Sequence, residues 1–196
     1  MSEYEAKSYP EFSVEQLQAE LRRVNYRRRF SQSVLRILLV LALVVAVAVA
    51  AAYLWLPVMR IYGDSMENTL VSGDVVVAVR GLDAEAGDLV AFEVSGKLLM
   101  KRVIAKGGDV VSIDAHGAVS VNGVVLDEPY VDELALGTCD VQMPCTVPAG
   151  MYFVMGDHRT VSIDSRSEAV GFVGKDQIVG RVVLRVWPLS RLDWLG

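Results

Sequence analysis

The sequence predicts a mainly β protein, in which a single N-terminal transmembrane helix is followed by a β domain. Residues 37–59 contain no charged side chain, and this run is long enough for a helix that crosses a membrane. After it, short runs rich in valine, leucine and isoleucine alternate with glycine-containing turns, which is the pattern of β-strands. No helical periodicity persists beyond the apolar run, so we expect residues 60–196 to form an all-β domain.

The first segment, residues 1–36, carries arginines close to the apolar run. Ser13 followed by Gln16 matches the capping box that begins many helices, so we expect a basic helix from Ser13 onward. Up to Arg60 the chain has eight lysines and arginines against five acidic residues. Basic residues that flank a membrane helix remain on the cytoplasmic side, which predicts a cytoplasmic N-terminus.

Residues 37–59 have two interpretations, a retained membrane anchor and a cleaved signal peptide. As a helix, these 23 residues extend about 34 Å, which covers a hydrocarbon core of about 30 Å. Small residues between Ala46 and Ala52 are typical of a cleavage site, but the apolar run exceeds an ordinary signal-peptide core. We therefore predict a single-pass protein of the cell membrane, in contact with the lipid bilayer, whose residues 60–196 lie outside the cytoplasm.

Eight strands are expected in the outer domain, because each apolar run is bounded by residues typical of turns. Asn122 and Gly123 suit the two-residue turn of a tight hairpin between two of these runs. The expected strands span residues 75–79, 89–94, 98–105, 110–113, 119–121, 124–126, 152–155 and 178–186.

Composition argues against several classes of function. From residue 61 onward the chain has eleven basic side chains against nineteen acidic ones, and a protein that binds nucleic acid needs a basic surface. Cys139 and Cys145 are too few for a zinc site without a neighbouring histidine, so we expect no metal and no cofactor. Outside the cytoplasm the two thiols can form a small-loop disulfide, and we expect this pairing rather than two free thiols.

The chemistry centres on Ser65, which follows the membrane segment in the stretch IYGDSMENTL. A serine hydroxyl attacks a carbonyl carbon only after a base has taken its proton. His158 is one candidate for that base, because Asp157 and Asp164 are close to it in sequence and could complete a triad. His116 lies in an Asp-Ala-His-Gly surface turn, where we expect no catalytic role.

Lys101 is the second candidate for the base. It lies in LLMKRVIAKGGD, where it and Arg102 point to opposite faces of a strand. Lysine accepts a proton only when it is neutral, and burial among Leu99, Met100 and Val103 would lower its pKa by several units. The alternative is a packed stem with its ammonium group in water, so the residues alone favour lysine and histidine equally.

Three motifs distinguish the two bases. IYGDSMENTL, MKRVIAKGGDVV and GDHRTVSIDSR follow one another after the apolar segment, and together they resemble bacterial type I signal peptidase, the Ser–Lys leader peptidase. The resemblance spans nearly the whole chain, and the last motif differs from the family pattern GDNRxxSxDSR only at His158. It therefore implies the signal-peptidase fold for the outer domain and a lysine, not His158, as the base.

The resemblance implies a role for each matched residue. Ser65 matches the nucleophile, Lys101 the general base, and Ser162 the serine that hydrogen-bonds and orients the lysine. Asp164 and Arg166 match a supporting ion pair. The remaining matched positions are scaffold residues, and they are Arg102, Asp157 and Arg159.

The resemblance also implies the substrate, which is a secreted preprotein cut after a signal peptide with small residues at positions −1 and −3. The positions that match its shallow apolar pockets are Ile61, Met66, Leu70 and Met100. The backbone N–H of Ser65 is the expected first donor to the oxyanion. Some family members supply a second donor from a hydroxyl side chain where this chain has Gly63, so the second donor is undecided.

Departures from the family pattern define two alternatives. Asn68 replaces a proline of the first motif, which leaves the shape of that turn undecided. If Gly63 and His158 mark a decayed site, the chain is a non-catalytic, membrane-anchored assembly module, although the intact Ser65 and Lys101 argue against this. The nearer alternative is a specialised accessory peptidase that serves a few substrates, such as pilin-type subunits.

Overall fold

The computed structural model describes residues 14–196. It begins with one continuous helix, α1 (Val14–Trp55), which contains both the basic segment and most of the apolar run. The final part of α1, Gln32–Trp55, is long and apolar enough to cross a membrane. The expected helix start at Ser13 lies outside the described residues.

The helix α1 ends earlier than the apolar run predicts. The uncharged run continues to Met59, but the helix stops at Trp55 and the strand β1 (Val58–Arg60) follows. Pro57 explains the difference, because its ring disfavours the helical conformation at Leu56 and because it has no N–H to donate. The last residues of the apolar run therefore belong to a strand.

Contacts divide the chain into two compact units, with the boundary after Ala52. Within the described residues the second unit contains twelve strands in two sheets, which confirms the mainly β prediction. The strands are β1 (Val58–Arg60), β2 (Val75–Val79), β3 (Leu89–Val94), β4 (Lys97–Lys106), β5 (Val110–Ile113), β6 (Val119–Val121), β7 (Val124–Val125), β8 (Cys145–Thr146), β9 (Met151–Met155), β10 (Val173–Gly174), β11 (Ile178–Trp187) and β12 (Asp193–Trp194).

Both sheets are antiparallel throughout. The larger sheet has the order β1-β2-β11-β3-β4-β9-β10, with β12 paired to β11, and the smaller sheet has the order β7-β6-β5-β8. The chain leaves the larger sheet after β4, forms the smaller sheet and returns as β9, which pairs directly with β4. The larger sheet therefore brings together strands that are distant in sequence.

All eight predicted strands are present, with ends that differ by at most one residue. The structure adds four strands that the sequence did not indicate, β1, β8, β10 and β12, each of two or three residues. Strands this short do not contain enough residues to produce a recognisable alternation. They are strands because they pair with neighbouring strands, and their own sequences do not indicate this.

Buried apolar side chains fix the turn that follows β1. Ile61, Met66 and Leu70 of the first motif are buried together with Val76 and Val182 from the larger sheet. Burying one such side chain contributes roughly 1.5–3 kcal/mol. The three side chains therefore anchor both ends and the middle of the turn that carries Ser65.

Cys139 and Cys145 are free thiols in the structure, so the expected disulfide is absent. The Sγ of Cys139 donates to the carbonyl oxygen of Val141 at 3.7 Å, and the Sγ of Cys145 lies 3.7 Å from the sulfur of Met143. Burial raises the pKa of both thiols, which favours the less reactive protonated form.

Candidate active site

Ser65 lies in a tight turn between β1 and β2. Two backbone hydrogen bonds close this turn, from the N–H of Glu67 to the carbonyl of Asp64 at 3.0 Å and from that of Leu70 to Met66 at 2.8 Å. The buried side chains on either side hold the turn against the larger sheet. Ser65 itself is only partly buried, so its hydroxyl is accessible from one side.

Lys101 meets Ser65 directly. Its Nζ donates to Ser65 Oγ at 2.6 Å, and the residue is 3% exposed. The pKa of Lys101 is lowered to about 8, chiefly because the side chain is buried; the charges of Asp164 and Asp157 raise it, that of Arg166 lowers it, and each has a smaller effect than burial. At that pKa roughly one-tenth of the lysine is neutral at pH 7, compared with well under ~0.1% for an ordinary lysine.

Arg102, the next residue on β4, joins the three motifs. Its Nε and Nη2 donate to the carboxylate of Asp157 at 2.9 and 2.6 Å. The hydroxyl of Thr69 donates to the same carboxylate at 2.5 Å, and the ring of Tyr130 covers the guanidinium, 3.9 Å from its centroid. Thr69, Arg102 and Asp157 come from different motifs, so this junction fixes the strand of Lys101 relative to the turn of Ser65.

Asp164 and Arg166 form a second buried ion pair in the loop between β9 and β10. Nε and Nη2 of Arg166 each donate to the carboxylate at 2.9 Å. Asp164 also accepts the backbone N–H of Gly156 at 2.9 Å, and Arg166 donates to the carbonyls of Ala135 and Leu136 at 3.2 and 2.8 Å. The pair therefore ties the loop to itself and to a distant segment.

Arg159 has a carboxylate partner that the sequence analysis missed. Its Nη1 and Nη2 donate to Glu128 at 2.9 and 2.6 Å, and Glu128 also accepts the hydroxyl of Tyr130 at 2.9 Å. Glu128 and Arg159 are 31 residues apart, and no local pattern in the sequence connects them. Glu128 and Tyr130 thus bring a segment outside the three motifs into contact with two of the site's arginines.

Ser162 has no hydrogen-bond partner for its buried hydroxyl within the described part of the chain. The expected hydrogen bond to Lys101 is therefore not present in this arrangement, and the orienting role stays a prediction. A Cβ at Gly156 would lie 2.2 Å from Ser162 Oγ and 2.5 Å from the carbonyl oxygen of Ser65. Ser162 and Ser65 thus approach each other across Gly156, where a larger residue would collide with both.

His158 contacts the turn of Ser65 but not its hydroxyl in the structure. The Nδ1 of His158 lies 3.2 Å from the carbonyl oxygen of Asp64 and 3.2 Å from Glu67 Oε2. Its backbone N–H donates to the carbonyl of Ser65 at 3.2 Å. Both aspartates of the loop bind arginines instead, so the geometry favours Lys101 over a histidine triad.

Ser65 and Lys101 line an apolar cleft of about 340 Å³. Of the four expected pocket residues, Ile61, Met66 and Met100 line this cleft. Leu70 requires a correction, because it is fully buried in the apolar group behind the turn and does not line the cleft. Lining residues that the sequence analysis missed are Met59, Arg60, Tyr62, Leu98 and Leu99.

Two strand edges border the cleft. The N–H and carbonyl of Ile61 bond to Asp74 and Gly73 at 2.8 and 3.0 Å, so the backbone groups of Arg60 and Tyr62 point to the opposite side. Across the cleft, residues 97–101 of β4 pair with β3 in the described sheet, and pairing with β9 begins only at the next residue. An extended peptide between these edges would gain backbone hydrogen bonds.

Two positions of the turn have a left-handed backbone. Gly63 has a φ of 88°, and a Cβ there would meet no atom within 4 Å, so conformation rather than space favours glycine. Asn68 has a φ of 82°, which proline, locked near −65°, does not adopt. The departures at both positions therefore fit the shape of this turn.

Comparisons with known proteins agree on one family. Residues 32–187, which contain all three motifs, match the family model described as signal peptidase, peptidase S26. Signal peptidase IB of Staphylococcus aureus is 36% identical over 154 residues, covering 68% of this chain and 79% of that protein. A probable signal peptidase I-2 of Synechocystis sp. is 35% identical over 147 residues, covering 69% and 65%. A solved signal peptidase I structure from Enterococcus faecalis is 31% identical, with a TM-score of 0.43, and the match covers 51% of this chain and 97% of that one.

Proposed function

This chain belongs to the signal peptidase family, peptidase S26, and from that premise we propose that Ser65 and Lys101 are the dyad with which it cleaves secreted preproteins. Members of this family are serine peptidases, so the chain is a hydrolase that removes signal peptides. The observation that carries the proposed dyad is the 2.6 Å contact between Lys101 Nζ and Ser65 Oγ inside a buried site.

The proposed reaction is acyl transfer through a covalent intermediate. Neutral Lys101 takes the proton of Ser65 Oγ, which attacks the scissile carbonyl carbon, while the backbone N–H of Ser65 stabilises the oxyanion. The lysine, now charged, gives its proton to the leaving amine as the peptide bond breaks. Neutral Lys101 then takes a proton from a water molecule, whose oxygen attacks the acyl carbon, and it returns the proton to Ser65 Oγ as the ester bond breaks.

Ser162 is proposed as a positioning residue for Lys101. A buried hydroxyl without a partner costs about 1–3 kcal/mol, and the hydroxyl of Ser162 is in this situation. When the lone pair of neutral Lys101 accepts the proton of Ser65, its two N–H groups remain available as donors. A bond to Ser162 would satisfy the hydroxyl and would hold the amine in the direction of Ser65.

The cleft fits an extended substrate segment with small side chains. A strand between Tyr62 and the start of β4 would have its side chains alternately directed towards the protein and towards solvent. Ile61, Met66 and Met100 would limit the inward side chains at positions −1 and −3 to small residues by steric exclusion. This restriction supports cleavage of the Ala-x-Ala type.

The apolar helix and the family together support a membrane-anchored protein. Its finer topology is a proposal, in which residues 1–36 are cytoplasmic, the apolar part of α1 up to Trp55 supplies the membrane segment and the β domain that follows faces the outside of the cell membrane. The arginines on the N-terminal side of the apolar run support this orientation. Protease added to intact spheroplasts should then digest residues 60–196, and their protection would reverse the orientation.

The cleavage assay that tests the dyad uses an Ala-x-Ala preprotein and the detergent-solubilised protein. Ser65→Ala and Lys101→Ala should each abolish cleavage, because the first removes the nucleophile and the second removes its base. His158→Asn should retain most activity, since His158 does not bond the Ser65 hydroxyl. An inactive His158→Asn protein together with an active Lys101→Ala protein would establish a histidine triad instead. A panel of preproteins in the same assay separates a general peptidase from a specialised one.

A further inference from the structure

Arg60 is a charged side chain on the wall of an otherwise apolar part of the cleft, and the proposed mechanism does not use it. It is exposed, its guanidinium carbon lies 5.8 Å from the ring centroid of Tyr62, and both residues line the cleft beside Ser65. The ion pairs of the described residues do not include Arg60. Its charge is therefore available to a group that enters the cleft.

The segment that carries Arg60 alternates between two faces. Met59 and Ile61 pack against the apolar core of the larger sheet, and Ile61 is buried. Arg60 and Tyr62 point to the other face, where both are exposed. This is the period-two alternation of an extended strand, so Arg60 and Tyr62 share one face of the cleft wall.

The side chains of a substrate strand beside this wall would alternate between the same two faces. Side chains of paired strands meet on the same side of a sheet, so inward residues of the substrate would lie with Met59 and Ile61. In the proposed function those inward residues are the small ones at positions −1 and −3. The residue between them, at position −2, would then point outward, on the face of Arg60 and Tyr62.

We propose that Arg60 is a specificity-determining residue that selects the side chain at substrate position −2, favouring carboxylates and disfavouring lysine and arginine. This inference rests on the proposed function, because it takes positions −1 and −3 from it. The ring of Tyr62 limits the freedom of the guanidinium through a cation–π contact. Arg60 is exposed, so the selection is about two- to fivefold in kcat/KM, the range of a solvent-exposed ion pair.

The experiment measures kcat/KM for three preproteins that differ only at position −2, with the cleavage sites Ala-Glu-Ala, Ala-Gln-Ala and Ala-Lys-Ala. The Gln substrate normalises each enzyme, so general effects of a substitution on stability or turnover cancel. The Glu-to-Lys ratio should fall about two- to fivefold in Arg60→Gln, and it should fall further in Arg60→Glu. High salt should reduce the difference between the wild type and Arg60→Gln, because exposed charges are screened.

Arg80→Gln is the matched control. Arg80 is also exposed and directly follows β2 of the larger sheet, whereas Arg60 is the last residue of β1, and Arg80 does not line the cleft of Ser65. A Glu-to-Lys ratio that Arg60→Gln leaves unchanged, or that Arg80→Gln lowers equally, would refute the role of Arg60. Either result would leave the proposed function intact if the Gln substrate is cleaved. If the wild type cleaved none of the three substrates, the proposed function would fail, and this inference with it.

Discussion

Lys101 and Arg102 are neighbours on β4, and both are buried, with exposed fractions of 3% and 9%. Arg102 lies against the carboxylate of Asp157 and under the ring of Tyr130, whereas Lys101 contacts the neutral hydroxyl of Ser65. Burial against a neutral partner lowers the pKa of Lys101 to about 8. The carboxylate instead compensates the guanidinium charge of Arg102.

The difference between the two environments shows how neighbouring residues of one strand can have different roles, Lys101 as the proposed base and Arg102 as a scaffold residue. A buried guanidinium that binds a carboxylate holds two segments together, as Arg102 does. A buried cation whose direct partner is neutral loses its proton more readily. Because the carboxylates of Asp157 and Asp164 are bound to arginines, they raise the pKa of Lys101 only from a distance.

The substitution Lys101→Arg should have the largest effect on activity, since it removes the difference between the two positions. An arginine does not release its proton in proteins, so the base is lost and kcat should fall about 10²–10⁴-fold. The measurement is kcat for an Ala-x-Ala preprotein in detergent. Thermal unfolding of the same sample shows whether the variant is folded. A folded variant with more than roughly one-tenth of the activity would contradict a base at position 101.

Asp157→Asn removes the feature that distinguishes Arg102 from Lys101. It leaves the buried guanidinium without its counter-ion, so the free energy of unfolding should fall by about 3–5 kcal/mol. Urea denaturation of the detergent-solubilised protein measures this change. Asp83→Asn is the matched control, because Asp83 forms an exposed ion pair with Lys175, and its loss should alter stability little. Equal effects of the two substitutions would show that the junction at Arg102 does not stabilise the domain.

The pH dependence of kcat/KM tests the lowered pKa of Lys101. In the proposed mechanism the free enzyme is active when Lys101 is neutral, and the pKa of this lysine is lowered to about 8. Activity should therefore be lost as the pH falls through 8, by about tenfold per pH unit well below it, and should level off above it. A profile over pH 6–10 with a stable peptide substrate tests this. An activity that is already constant from about pH 6 upward would point to a different base.

Much of the site could be predicted because its residues lie in short local patterns. Ser65 and Lys101 lie within motifs, and the main strands are valine-rich runs bounded by turn residues. The end of α1 was also encoded locally, since Pro57 disfavours a helix at the preceding residue. The absence of charge up to Met59 predicts a longer helix, but the proline ends the helix before that residue.

The remainder depends on contacts between distant residues. Glu128 reaches Arg159 across 31 residues, and an acidic residue in a polar segment gives no sign of such a partner. The family resemblance predicts Leu70 on the cleft wall, but an apolar residue in a turn can face either the cleft or the core. Leu70 packs in the core with Val76 and Val182, and these contacts exist only in the assembled sheet.

The segment between β4 and β9 has a consequence for how this protein folds. It forms the smaller sheet, and it also supplies Glu128 and Tyr130 to the arginines of the site, together with the carbonyls of Ala135 and Leu136. Until this segment docks, the buried guanidinium of Arg159 lacks its counter-ion, and leaving a buried charge unpaired is costly. Forms with a complete larger sheet and a detached smaller one are therefore disfavoured. We expect the two sheets to fold and unfold as one cooperative unit.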